Sequence, residues 1–182
     1  ILEVVEIADI VFWPCAMDFK YDVVEEMTDG EIDVCFFNGA IRDSENKKIA
    51  KLLRKKSKIM IALGSCSALG GIPGLGNDAN KQQILDKSYV PSFSTENPSD
   101  INPKSSTSVQ EGELTLPILE DNVRALDQVV EVDYYLPGCP TNPDLIFKAV
   151  EAIKEGELPP RGTNLAILSN KKTVCDECER EL

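Results

Sequence analysis

Two cysteines carry the clearest chemical signal in the sequence. Cys66 stands in a turn of small residues, GSCSALGG, and Cys139 stands in LPGCP. Each lies just past an apolar run and each has a glycine within the two residues before it. Glycine lets backbone approach a bulky ligand closely and leaves N–H groups available to sulfur. An iron–sulfur cube asks for four thiolates, hydrogen bonds to its sulfurs and shelter from water. The rival reading is a pair of buried structural thiols, since free cysteine is among the most buried residue types. Cys66 and Cys139 are far apart in the chain, so only the fold can bring them together. Cys175 and Cys178 form a CxxC. Two sulfurs at that spacing hold one metal or one cluster edge, or close into a redox disulfide. A thioredoxin-type pair would follow an early strand at a helix N-terminus. This pair sits near the C-terminal end with acidic residues inside and after it, which favours a metal or cluster, zinc included. Either needs two further ligands. Cys35 alternates with Val34 and Phe36 and reads as core. Cys15, beside Pro14, reads as structural, with a ligand role as the lesser alternative.

Composition narrows the remaining chemistry. The chain has 182 residues and no histidine, which removes imidazole metal sites, histidine bases and every Ser-His or Cys-His nucleophile. Nineteen Lys and Arg against thirty-one Asp and Glu give a net charge of −12. Such a surface repels phosphate backbones, so nucleic acid is not the expected partner. No apolar run approaches the roughly 18–20 residues of a membrane helix. With no secretory signal, the expected compartment is the cytoplasm, where thiols stay reduced and clustered cysteines point to metal or redox work. The first residue is Ile1 rather than Met, consistent with a sequence that begins inside a longer protein.

The elements that must position these thiols follow an α/β alternation. Residues 1–8 read as the tail of a helix, and residues 9–15 (DIVFWPC) as a strand stopped by Pro14. Residues 21–27 are ambiguous between a helical turn and a loop. Residues 32–37 (IDVCFF) read as a strand ended by Asn38-Gly39. Asp43 or Ser44 can cap a helix running to Lys56, with Ile49, Leu52 and Leu53 as its buried stripe. Its lysine-rich end reads as a solvated face rather than a docking patch. Residues 58–63 (KIMIAL) form the continuous apolar run of a strand buried on both faces, leading straight to Cys66. Residues 73–117 are polar and rich in Asn, Ser, Pro and Gly, with one short helix at 80–87; so long a stretch suggests subunit contacts. Gly70 to Gly76 lacks the Gly-Lys-Ser/Thr ending of a phosphate loop. Residues 129–136 read as another strand, ending at Cys139, and Pro143 opens a helix to Lys154. Strands joined by helices imply a mostly parallel sheet, with ligands beyond the strands' carboxyl ends, where Cys66 and Cys139 stand.

ALGSCSALGGIPGLGN, VDYYLPGCPTNPDLI and the late CxxC together resemble the small, iron–sulfur subunit of nickel–iron hydrogenases. The likeness is to the methyl-viologen-reducing type associated with heterodisulfide reductase in methanogens. ADIVFWPCAMDFKYD and IRDSENKKIAKLLRKKSKIMIALG fit the same pattern, so the resemblance spans most of the chain. It implies a flavodoxin-like α/β domain over residues 1–156, with a mostly parallel sheet and helices on both faces. Residues 157–182 would begin a cysteine-bearing C-terminal extension. It also implies that Cys66 and Cys139 are two of four ligands of a proximal 4Fe–4S cluster, and Cys175 and Cys178 two ligands of a second. Up to three such clusters would be held by the full-length subunit. The implied partners are the nickel–iron large subunit, where the catalytic site lies, a downstream iron–sulfur or flavin subunit, and heterodisulfide reductase.

The sequence departs from that family in specific places. The family's early CxxC is absent, as is the cysteine-rich region that follows the late CxxC, which is expected of a middle piece of a longer subunit. Asn38 stands where relatives usually carry an acid, which weakens a role for that position in proton traffic. Three rivals remain. The 20 kDa iron–sulfur subunit of respiratory complex I carries two adjacent cysteines in its cluster motif, and none occur here. A zinc-stabilised module using only the CxxC would leave Cys66 and Cys139 without a purpose. A solitary flavodoxin-like binder would hold one flavin and no iron.

Overall fold

The computed structural model describes residues 2–16 and 20–169. Its centre is a parallel three-stranded sheet formed by β1 (Ile32–Asn38), β3 (Ser57–Leu63) and β7 (Tyr134–Leu136), in the order β1-β3-β7. The continuous apolar run of β3 takes the middle position, where both faces are covered. Alternate side chains go opposite ways: Met60 and Ala62 enter one core cluster and Ile61 the other. Met60 and Ile61 are fully buried, each contributing about 1.5–3 kcal/mol relative to exposure.

One helix covers each face, so the expected α/β arrangement is present. α3 (Ser44–Lys56) lays Ile49, Ala50, Leu52 and Leu53 on the first cluster. Asp43 caps it, its carboxylate accepting from Asn46 N at 2.8 Å. α6 (Pro143–Glu155) covers the second cluster with Leu145, Ile146, Ala149 and Ile153. Pro143 opens α6, Asn142 caps it, and Gly156 closes it in the left-handed region. The lysine-rich end of α3 is only partly solvated. Arg54 pairs with Asp133, and Lys56 is buried, donates to Met27 O and pairs with Asp29.

Residues 9–13 form no strand, contrary to the expectation from sequence. They have the apolar run of one but no ladder partner; Phe12 instead packs on the first core cluster and against the Tyr21 ring at 6.0 Å. Cys15 is exposed in the turn that follows, so it is no packed structural thiol. The ambiguous segment is helix α2 (Tyr21–Glu26), preceded by α1 (Leu2–Val5).

The strand expected over residues 129–136 is only three residues long. Asp133 delays its start, because its side chain takes the Met60 amide, at 2.8 Å, that a continued ladder would give to a backbone carbonyl. The polar stretch 73–117 is also more ordered than its composition suggests. It holds a 3-10 helix (Ile72–Asp78), α5 (Lys81–Tyr89) with an Asn80–Gln83 capping box, and a hairpin of β4 (Ser106–Val109) with β5 (Gly112–Thr115). Both hairpin strands are exposed throughout. β2 (Ile41–Asp43) pairs antiparallel with β6 (Leu119–Arg124), which returns the chain to the domain.

Candidate metal centre

The two thiol-bearing turns meet beyond the carboxyl ends of β3 and β7. Leu63 is followed at once by α4 (Gly64–Leu69), a short helix whose third residue is Cys66. Gly64 makes the sharp entry with φ +84°, and a Cβ there would lie 3.2 Å from Asn38 Nδ2. Asn38 occupies that space to donate from Nδ2 to Leu63 O at 3.2 Å, so here it serves as a backbone brace. On the neighbouring strand, Leu136 runs into Pro137-Gly138-Cys139. Gly138 has φ +146°, and a Cβ there would lie 2.5 Å from Thr141 Cα, so only glycine fits.

Two hydrogen bonds fasten one turn to the other. Ser65 N donates to Gly138 O at 2.9 Å, and Gly138 N donates to Ser65 Oγ at 3.1 Å. The residue before Cys66 is therefore bonded reciprocally to the residue before Cys139. Sequence reasoning alone does not single out Ser65; a hydroxyl beside a candidate ligand in a tight turn is the available signal. Cys66 is half-buried and Cys139 exposed.

Gly71 packs directly against Cys66. Gly71, at φ +54° and ψ −150°, sits where a Cβ would come within 2.9 Å of Cys66 Sγ and Cα. Gly70 N closes α4 on Cys66 O at 3.0 Å. Leu69, Ile72 and Leu75 follow within nine residues of Cys66 and are 75, 70 and 69% exposed.

The other cysteines fall elsewhere. Cys35 lies in β1 on the first core cluster, and burial pushes its thiol up to about 12, as a core residue requires. Cys175 and Cys178 lie outside the described residues. Among the described residues no group of three or more Cys, Asp or Glu side chains is gathered to hold a metal. Cys66 and Cys139, on adjoining turns, thus fit an iron–sulfur cube as two of its four thiolates.

Asp133 is a feature that sequence reasoning passes over inside VDYYL. It is 1% exposed and faces two arginines, with Arg54 Nη1 at 2.6 Å from Oδ2 and Arg161 Nη1 at 2.8 Å from Oδ1. The Arg161 contact lacks hydrogen-bond alignment, so Oδ1 is held by charge. No helix among the described residues is long and apolar enough to cross a membrane.

Known proteins resemble this chain along nearly all of it. The family model for the 20 kDa subunit of NADH ubiquinone oxidoreductase matches residues 1–153. An iron–sulfur subunit of the F420-non-reducing hydrogenase of Archaeoglobus profundus is 42% identical over 99% of this chain and 56% of its own length. A subunit of the F420-non-reducing hydrogenase of Methanocaldococcus jannaschii is 38% identical over 100% of this chain and 54% of its own. The chain thus spans about half the length of these relatives. A solved NAD+-reducing NiFe hydrogenase, in its H2-reduced state, contains a chain that superposes with a TM-score of 0.71 at 26% identity. That match covers 87% of this chain and 79% of the other.

Proposed function

The chain belongs to the family of the NADH ubiquinone oxidoreductase 20 kDa subunit, and from that membership we propose that it is the electron-transfer subunit of a nickel–iron hydrogenase. The observation that carries the proposal is the double hydrogen bond between Ser65 and Gly138, which sets the turns of Cys66 and Cys139 side by side. The hydrogenase names of relatives matching the whole chain favour that branch of the family over the quinone-reducing one.

A 4Fe–4S cluster supplies one-electron transfer at a potential set by its thiolates, hydrogen bonds and exposure. Cys66 and Cys139 provide two thiolates for the proximal cluster, and Gly71, having no side chain, lets its backbone pack against the Cys66 turn. Leu69, Ile72 and Leu75 would exclude water once the large subunit, which carries the catalytic nickel–iron site, covers them. Cys175 and Cys178 are assigned to a second cluster farther along the relay, facing a downstream iron–sulfur or flavin partner and through it heterodisulfide reductase. Residues 1–156 form the proximal-cluster domain and residues 157–182 the start of the iron–sulfur extension. Cytoplasmic work agrees with the four described cysteines all being free.

Iron and acid-labile sulfide analysis of the anaerobically purified complex tests this reading. The expected result is a brown protein in which Cys66→Ser and Cys139→Ser each abolish the same cluster signal in electron paramagnetic resonance. A colourless protein containing only zinc, or two variants that remove different signals, would overturn it.

A further inference from the structure

We infer that Asp133 is a register clamp that positions Cys139 against Cys66, acting from the opposite end of the two strands that carry them. The inference rests on the pairing of those thiols proposed above and adds what enforces it.

β7 meets β3 at only three residue pairs, Ile61 with Tyr134, Ala62 with Tyr135 and Leu63 with Leu136. So short a ladder specifies its register weakly. A one-residue slip would turn the buried faces outward, but a two-residue slip keeps the alternation. It would also carry Cys139 about 7 Å along the sheet relative to Cys66. Something besides the ladder must exclude it.

Asp133 meets that need. Its Oδ2 accepts the amide of Met60 at 2.8 Å, and its own amide donates to Met60 O at 2.9 Å, so side chain and backbone grip one residue of β3 together. Arg54, reaching down from α3, binds the same oxygen at 2.6 Å while also donating to Ser57 O and Lys58 O at the start of β3. Arg161 approaches Oδ1 from the far side, and Gly162 N donates to Asp133 O at 2.7 Å. Three segments, β3, α3 and the loop of Arg161, converge on one buried carboxylate. A displaced β7 would leave that charge buried away from both arginines, a costly state.

The register set there runs unbroken to the thiols. Met60 and Asp133 are 73 positions apart, and so are Ser65 and Gly138, the hydrogen-bonded residues before the cysteines. The next position on each chain is a cysteine. One offset therefore holds from the clamp through the ladder to the Ser65–Gly138 bonds, and a shift at the clamp would become a shift at the site.

The test uses the full iron-free chain with Cys15, Cys175 and Cys178 changed to Ser, leaving Cys35, Cys66 and Cys139. Phenylarsine oxide joins two neighbouring thiols through arsenic and releases water, so its affinity reads the proximity of Cys66 and Cys139. Alkylation of Cys35, half-buried in β1 and packed on the first core cluster, reads general loosening. The parent chain should bind one arsenical, and Asp133→Ala should bind at least tenfold more weakly with Cys35 still protected. Asp133→Asn, whose amide oxygen can still accept from Met60 N, should recover part of the loss. Equal affinity in the parent and Asp133→Ala overturns the clamp while leaving the thiol pairing intact. A parent chain that binds no arsenical overturns the pairing and the clamp with it. Should Asp133→Ala expose Cys35, Arg161→Ala decides: weaker arsenical binding with Cys35 protected supports the clamp, and unchanged binding overturns it.

Discussion

Gly71 and Cys35 are the residues whose chemistry the structure constrains most tightly. Gly71 combines a backbone conformation that L side chains rarely adopt with a position facing Cys66 Sγ at 2.9 Å from where its Cβ would be. Gly71→Ala should cost about 1–3 kcal/mol of stability and lower iron retention on desalting. Gly74→Ala, with nothing within 4 Å and no positive φ, serves as the control and should keep its iron. Equal iron in the two variants would show that the close packing of Gly71 on Cys66 does not set the ligand's position. Cys35 gives a pH dependence whose sign is fixed by burial. Its thiol titrates near 12 in the fold against an ordinary 9.0, so its neutral form is favoured there. The stabilisation is complete below about pH 9 and is lost between 9 and 12, by about 1.4 kcal/mol per pH unit. In urea titrations under reductant, the stability advantage of the parent over Cys35→Ala should shrink as pH rises from 9 to 11. Parallel profiles would mean that the thiol is not desolvated.

At the scale of elements, local chemistry is legible in the sequence and long-range pairing is not. Asp43, Pro143 and Gly156 act within a few residues of their own helices, so the ends of α3 and α6 can be read directly; a side-chain cap such as Asp43 is worth about 1 kcal/mol wherever it occurs. The run 58–63 is equally plain, because a strand covered on both faces needs no alternation. Residues 9–13 are comparably apolar, yet a strand exists only with a neighbour to pair with, and composition does not reveal one. The length of β7 is overestimated from sequence because Asp133 looks like an interruption in an apolar run, while its carboxylate replaces a backbone acceptor for Met60. The β4–β5 hairpin hides in a polar stretch: both strands are exposed, so no apolar face marks them, and Glu111-Gly112 is the only turn signal. The site divides the same way. Cys66 and Cys139 announce themselves through flanking glycines, whereas Ser65, Gly71 and Asp133 matter only because of residues distant in sequence or across a turn.

Across the whole molecule, charge and apolar surface are separated in a way that bears on assembly. Much of the limited positive charge is spent inside the chain, with Lys47 on Glu120, Lys48 on Glu25, Lys58 on Asp33, and Arg54 on Asp133. The outward field of a chain at −12 is left negative, unsuited to phosphate backbones. Among the exposed apolar side chains, Leu69, Ile72 and Leu75 stand three, six and nine residues after Cys66 in the chain. Isolated exposed leucines need no explanation, but a run of them beside a ligand-bearing turn has the character of an interface core. Each is worth about 1.5–3 kcal/mol when buried by a partner. Leu69→Glu with Leu75→Glu removes that gain and puts two charges where water must be excluded. Neither leucine is packed in the fold, so the urea midpoint of the doubly substituted chain should match the parent. Copurification with the proposed large subunit should be lost, and with it retention of the proximal iron in air. A doubly substituted chain that still assembles at parental yield would place the interface elsewhere, leaving the exposed hairpin at 106–115 as the surface to test next.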